Sequence, residues 1–256
     1  MRRPSQNIRV STATVEPSTA HNYSKAIDEC TPLSARPLAE LTTEEWQGLT
    51  NALLTRWSRY HVAVWRQIIS VAMRAAIPRY LATNPLARVR LPKPEETPPK
   101  AWRQDEIDRL LAAAAGHHHE PWLVFCLGTG VRLGESRALL LEDLDLTAKT
   151  ATIRASLDNL TSKRGPTKNK KARVVELPDE LLPILAAHIK RQAPGTVHVF
   201  GQKSGPFHAT TYRHWLRRVC DSANVRRLPP HSLRHTCASL AFDDGVPVQD
   251  IANQLG

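Results

Sequence analysis

Apolar residues recur at three- and four-residue intervals over most of the chain and alternate with polar ones in only one region. The first spacing lays apolar side chains along one stripe of a helix, and the second places them on one face of a strand. Pro17 suits the first turn of a helix that runs to about Cys30. Thr42 and Glu45 form a T-x-x-E capping box, with Leu41 and Trp46 placed as the flanking staple. Trp46, Leu49 and Leu53 continue one face of that second helix. A third helix carries Trp65, Ile68, Ala72 and Ala75 and ends before Asn84-Pro85, because the position before a proline disfavours helical geometry.

The pattern then stops. Residues 88–100, R-V-R-L-P-K-P-E-E-T-P-P-K, hold four prolines and no apolar period, which suits an extended, semi-rigid linker. A new helix follows with Ile107, Leu110, Leu111 and Ala114, closed by Gly116. The period changes at Thr150–Arg154 and Arg173–Leu177, two short β-like runs around a polar, basic stretch, which predict a hairpin or small sheet. Helical spacing resumes at Leu181–Ile189, at Tyr212, Trp215, Leu216 and Val219, at Leu233, Cys237, Leu240 and Ala241, and at Val248, Ile251, Ala252 and Leu255. The expected fold class is α+β, mainly α with a small antiparallel β-sheet. The expected organisation is a mobile polar tail at 1–12, a helical domain at 13–90, a linker at 91–100 and a second domain at 101–256.

Composition narrows the function. With 35 Lys and Arg against 24 Asp and Glu, the formal charge is +11, so the expected partner is a polyanion, and nucleic acid is the commonest one. Cys30, Cys126, Cys220 and Cys237 lie far apart with no C-x-x-C pair, a poor frame for disulfides or zinc and a good one for reduced thiols in a cytoplasm. The N-terminus lacks the apolar run of a signal peptide. The longest apolar stretch, near 61–81, is broken by Arg66, Arg74 and Arg79, so no membrane span is expected.

Three basic islands could carry chemistry. In T-G-V-R-L-G-E, residues 129–135, glycines let the backbone turn tightly and approach a ligand, holding Arg132 on the turn. The plain alternative is a turn arginine paired with Glu135. In K-R-G-P-T-K-N-K-K-A-R, residues 163–173, Lys163, Arg164, Lys168, Lys170, Lys171 and Arg173 form a run with no acidic residue at the tip of the predicted hairpin. The plain alternative there is a solvated loop. In H-S-L-R-H-T, residues 231–236, His231 and Arg234 share one helical face, and an imidazole beside a guanidinium suits phosphoryl transfer. A capping histidine with a surface arginine is the plain alternative.

Taken in order, these islands resemble the tyrosine recombinases of the phage-integrase group. The matching strings are T-G-V-R-L-G-E-S-R-A-L-L-L-E-D-L-D-L, T-K-N-K-K-A-R-V-V-E-L-P, H-S-L-R-H-T-C-A-S-L-A and G-V-P-V-Q-D-I-A-N-Q-L-G. The stretches P-S-T-A-H-N-Y, L-A-E-L-T and N-P-L-A-R-V-R-L-P look like the family's helical core-binding domain. The resemblance implies a core-binding domain and a catalytic domain clamped around duplex DNA at specific sites, in a tetramer. It implies catalytic roles for Arg132, Lys168, His231 and Arg234, and DNA contacts from Lys163, Arg164, Lys170, Lys171 and Arg173. The implied reaction is attack by a tyrosine on a scissile phosphate to give a 3′-phosphotyrosyl link, with no metal or nucleotide cofactor.

Two departures stand out. Ser232 replaces the family's usual Asp, where it can serve similar helix-start hydrogen bonding. The family follows the terminal L-G with a His or Trp and then the tyrosine, whereas this sequence is expected to stop before that nucleophile. Tyr23, Tyr60 and Tyr80 fall in the N-terminal domain, and Tyr212 sits at a packing position. His117, His118 and His119 invite a zinc reading, but three adjacent residues cannot easily converge on one tetrahedral ion, so no metal site is expected. The tryptophans fall mostly on apolar helical faces and predict core packing. The rival functions are a non-catalytic DNA-binding remnant of a recombinase and a helix-turn-helix regulator. A regulator has no need of Arg132, Lys168, His231 and Arg234 together.

Overall fold

The computed structural model describes residues 17–94, 100–167 and 171–256, so the expected tail and residues 95–99 of the expected linker lie outside the described residues. The chain divides into two compact units, residues 1–96 and 97–256.

The first unit is helical: α1 (Pro17–Asp28), α2 (Thr43–Leu54) and α3 (Arg59–Ala75). The capping box starts α2 as expected: Glu45 N donates to Thr42 Oγ1 (3.3 Å) and Thr42 N to Glu45 Oε2 (2.9 Å). Trp46, Leu49 and Leu53 meet Trp65 in one core, and the Trp65 indole donates to the Ala26 carbonyl of α1 (3.0 Å). On α3 the buried stripe is Val62, Trp65, Ile69 and Met73, whereas Ile68 and Ala72 are half-buried and Ala75 is exposed. The expected stripe is therefore turned by one position. The larger Ile69 and Met73 fill the core better than the alanines, so they set the rotation of the helix.

The second unit begins with α4 (Gln104–Ala114), α5 (Glu120–Thr129) and α6 (Leu133–Ala138). A small sheet region follows with β1 (Leu144–Asp145), β2 (Thr150–Ile153), β3 (Ala155–Leu157), β4 (Arg164–Pro166) and β5 (Arg173–Glu176). Then come α7 (Leu181–Lys190), β6 (Gly201–Gln202), β7 (Gly205–Pro206), α8 (Ala209–Ser222), α9 (His231–Asp243) and α10 (Val248–Leu255). The fold is mainly α with small antiparallel sheets, as the periodicity predicts.

The helix α5 is apolar on every side, with Trp122, Leu123, Phe125, Cys126 and Leu127 all buried, which makes it the central post of this unit. It packs on α4, α6, α7 and α9. The predicted strands pair antiparallel as β2 and β5, with Ile153 opposite Arg173 and Ala151 opposite Val175. Between them, however, β3 and β4 form a second hairpin, with Leu157 opposite Arg164. The basic stretch therefore begins on a hairpin of its own. Arg137, fully buried on α6, fixes that hairpin's turn by donating to Ser162 Oγ (2.9 Å) while also reaching the Phe207 carbonyl (2.9 Å).

The three adjacent histidines lie at the start of α5 against aromatic rings. His117 stacks on Trp215 (centroids 5.0 Å apart), and His119 lies 4.9 Å from Phe207 and 5.1 Å from Tyr212. Burial, and then the neighbouring His118, His117, His188 and Arg218, push His119 down to about 4 from its ordinary 6.5. Between those values the unfolded chain holds the extra proton. Stability is therefore full above about pH 6.5 and falls as the pH drops toward 4, by an amount on the order of 3 kcal/mol. The substitution His119→Phe keeps a ring in the nest without a titrating nitrogen and is expected to flatten this acid slope. Thermal midpoints between pH 7 and 4 check this, and equal slopes would clear His119 of the effect.

Candidate active site

Arg132 sits on the turn between α5 and α6, and its position follows from the glycines beside it. Gly130 ends α5 with φ +65°, a left-handed geometry that favours glycine, and a Cβ there would lie 2.3 Å from Leu255 Cδ2. Gly134 admits β3 closely, since its Cβ would lie 2.5 Å from Ser156 Oγ and 2.7 Å from the Leu157 oxygen. Helix and strand thus close in on both sides of Arg132.

Arg132 and Arg234 converge. Arg132 Nη2 (2.7 Å) and Arg234 Nη2 (3.1 Å) both donate to the Gly256 main-chain oxygen. Arg234 Nη1 also donates to the oxygens of Leu255 (2.6 Å) and Gly130 (3.2 Å), and Arg173 Nε donates to that of Gln254 (3.0 Å). The last carbonyls of a helix lack partners within it and carry its negative end. Here three guanidiniums supply those partners.

Glu135, at 1% side-chain exposure, balances this cluster. It accepts from Arg132 Nη1 (2.9 Å), from Arg132 N (3.0 Å) and from Arg173 at 2.7 and 3.3 Å. Burial works to raise its pKa, but the contacts with Arg173 and Arg132 outweigh burial and hold it below the ordinary carboxylate value. Arg234 is pushed down to about 10, by burial and then by Arg132 and Arg173, and still carries its charge at neutral pH.

His231 opens α9, one turn from Arg234, with its ring edge-on to His235 (4.8 Å). Burial, then His235, Arg234, Arg132 and Lys100, hold its pKa below 6.5. The neutral imidazole that results can accept a proton. The sequence-predicted Arg132, Arg234 and His231 therefore share one electropositive place.

The other predicted residues are placed differently. Lys168 and Lys170 lie outside the described residues. Lys163, Arg164 and Lys171 are exposed, the first two on the β3–β4 hairpin. Arg173, expected at the DNA, has a side chain only 13% exposed that bonds Glu135 and Gln254. The signal was in the strand alternation, because Arg173 is in phase with the buried Val175 and Leu177. Tyr212 is buried, donates to the Phe200 carbonyl (2.8 Å), and burial raises its pKa strongly, all marks of a packing residue. Trp46, Trp65, Trp102, Trp122 and Trp215 are buried as expected, and Trp57 is the exception at 46% exposure.

Comparison with known proteins gives this geometry a family. Residues 100–256 match the model of the phage integrase family. The chain belongs to that family. Among curated relatives of this integrase-family chain is a tyrosine recombinase XerC-like protein of Caldanaerobacter subterraneus subsp. tengcongensis, 26% identical over 209 residues, which cover 69% of this chain and 54% of that protein. The integrase chain thus spans about half the length of that relative. Among solved structures, the Tn1549 transposon integrase in complex with a circular intermediate DNA superposes with a TM-score of 0.84 at 16% identity, over 94% of this chain and 86% of that one. A lambda integrase tetramer bound to a Holliday junction gives 0.73 at 17% identity, over 95% and 72%. These two likenesses show the fold.

Proposed function

We propose that this integrase-family chain acts in site-specific DNA recombination, cleaving and rejoining duplex DNA through a 3′-phosphotyrosyl intermediate. The observation that carries this is the meeting of Arg132 and Arg234 on one oxygen, with His231 beside them. Two guanidiniums facing one point suit the non-bridging oxygens of a scissile phosphate, whose charge grows in the transition state. A tyrosine oxygen attacks phosphorus while the bond to the 5′ oxygen breaks. His231 takes the tyrosine proton, and Lys168 gives one to the departing 5′ oxygen. The phosphotyrosyl ester conserves the bond for rejoining by a second strand's 5′-hydroxyl. Tyr212 does not suit the attack, because its hydroxyl is buried and engaged.

The same proposal gives the second unit the catalytic role and the first the role of a core-binding domain, together gripping duplex DNA in a tetramer in the cytoplasm. No helix of the described residues is long and apolar enough to cross a membrane. Exposed Lys163 and Lys171 are assigned to phosphate contacts. Each phosphate neutralised releases condensed counterions, so log affinity should fall linearly with log salt. The double variant Lys163→Ala, Lys171→Ala is expected to lower that slope by about two ion equivalents. Fluorescence anisotropy with a labelled duplex from 50 to 300 mM salt (on the order of the range where the slope is steep) measures it. An unchanged slope would remove these lysines from the DNA interface.

A further inference from the structure

We propose that Arg173 is a positioning residue of the anion pocket, holding Glu135 against Arg132 and seating the end of α10 on β5. This rests on the reading of that pocket as a phosphate site. Arg173 is the first residue of β5 and follows directly on the basic stretch 163–171. Its three contacts run in two directions, to both oxygens of Glu135 on α6 and to the Gln254 oxygen on α10. Glu135 Oε1 is shared with Arg132 Nη1, so the carboxylate that orients Arg132 is itself oriented by Arg173. Arg132 then meets Arg234 at the Gly256 oxygen.

The consequence is mechanical and electrostatic. The planar fork of an arginine meets both oxygens of a carboxylate and a separate carbonyl through three different nitrogens, a spread that the single nitrogen of a lysine cannot match. Without Arg173, the buried Glu135 would keep one guanidinium in place of two, and the last turn of α10 would lose a donor. Arg132 and Arg234 would no longer be held at the spacing that lets them share one oxygen.

The test uses the chain with ¹⁵N-labelled arginine and inorganic phosphate as the probe. In the native chain, phosphate is expected to shift the Nε–H signals of Arg132 and Arg234 with one shared dissociation constant. Arg173→Met is expected to weaken that constant roughly tenfold, the size of a lost charge-assisted hydrogen bond, and to separate the two responses. The slope of duplex affinity against salt should stay as it was. Arg173→Lys should fall between the two. A merely structural role would lower the thermal midpoint yet leave the phosphate affinity of the folded molecules unchanged, and that result overturns the proposal. So does a salt slope reduced by about one with unchanged phosphate affinity, which would make Arg173 a plain DNA contact. If the Met variant does not fold, native phosphate affinity in Arg173→Lys overturns it equally. If the native chain itself shows no shifts at Arg132 and Arg234, the phosphate pocket fails, and this role falls with it.

Discussion

A polypeptide of residues 1–256 is expected to bind duplex DNA carrying its recombination site and to form no covalent protein–DNA adduct. It holds the groups proposed to polarise a phosphate, namely Arg132, Arg234 and His231, whereas Tyr212 is buried and Tyr23, Tyr60 and Tyr80 belong to the first unit. A cooperative site tested without its nucleophile keeps binding largely intact while turnover falls by orders of magnitude. Joining to Gly256 the C-terminal segment of a relative, with its tyrosine, is expected to give an adduct that survives denaturation. Arg132→Ala in that graft should abolish it, since a lost transition-state donor costs about 10²–10³ in rate and the pocket would lose a full charge as well. Denaturing gels with a labelled duplex read all three. An adduct from the ungrafted polypeptide would show that one of its four tyrosines attacks. Folded grafts that never form one would favour a DNA-binding remnant.

Glu135→Ala is expected to destabilise the second unit by about 3–5 kcal/mol, the usual cost of stranding one partner of a buried ion pair. The carboxylate is 1% exposed and serves two arginines, of which Arg173 is itself 13% exposed. Because the folded state lowers the pKa of Glu135, its contribution is present above about pH 4.5 and is lost as the pH falls below that. Urea midpoints followed by near-ultraviolet circular dichroism measure the loss. The double variant Glu135→Ala, Arg173→Met should recover part of it, because removing both charges leaves none unpaired. A loss under about 1 kcal/mol in the single variant would mean that water replaces the carboxylate without cost.

Much of the fold was legible because its signals are local. The Thr42–Glu45 capping box, the apolar run of α5 and the Gly130 turn each sit within a few residues of what they determine. Two of the three islands also named Arg132, Arg234 and His231 as candidates, because their residue types already suggest phosphate chemistry. What escaped depends on contacts distant in sequence. The rotation of α3 is decided by what Ile69 and Met73 meet in the core, and the β3–β4 hairpin has strands of three residues each, too short for a period. Glu135 looked like the bland partner of Arg132 and is indeed that partner, but it serves Arg173 as well, 38 residues further on. Arg173 was hidden by its company. It ends a run of cations that suggests solvent, and only its phase with Val175 and Leu177 points inward.

The two glycines flanking Arg132 also bear on how this chain could be redesigned. At Gly130 any side chain would drive into Leu255, and at Gly134 into the backbone of Leu157. A library that varied residues 129–135 to alter DNA preference would therefore yield mostly misfolded members. The β3–β4 turn, where Leu160, Thr161 and Lys163 face solvent, tolerates variation far better. Variation is thus easier to introduce there, away from the fixed turn that holds Arg132.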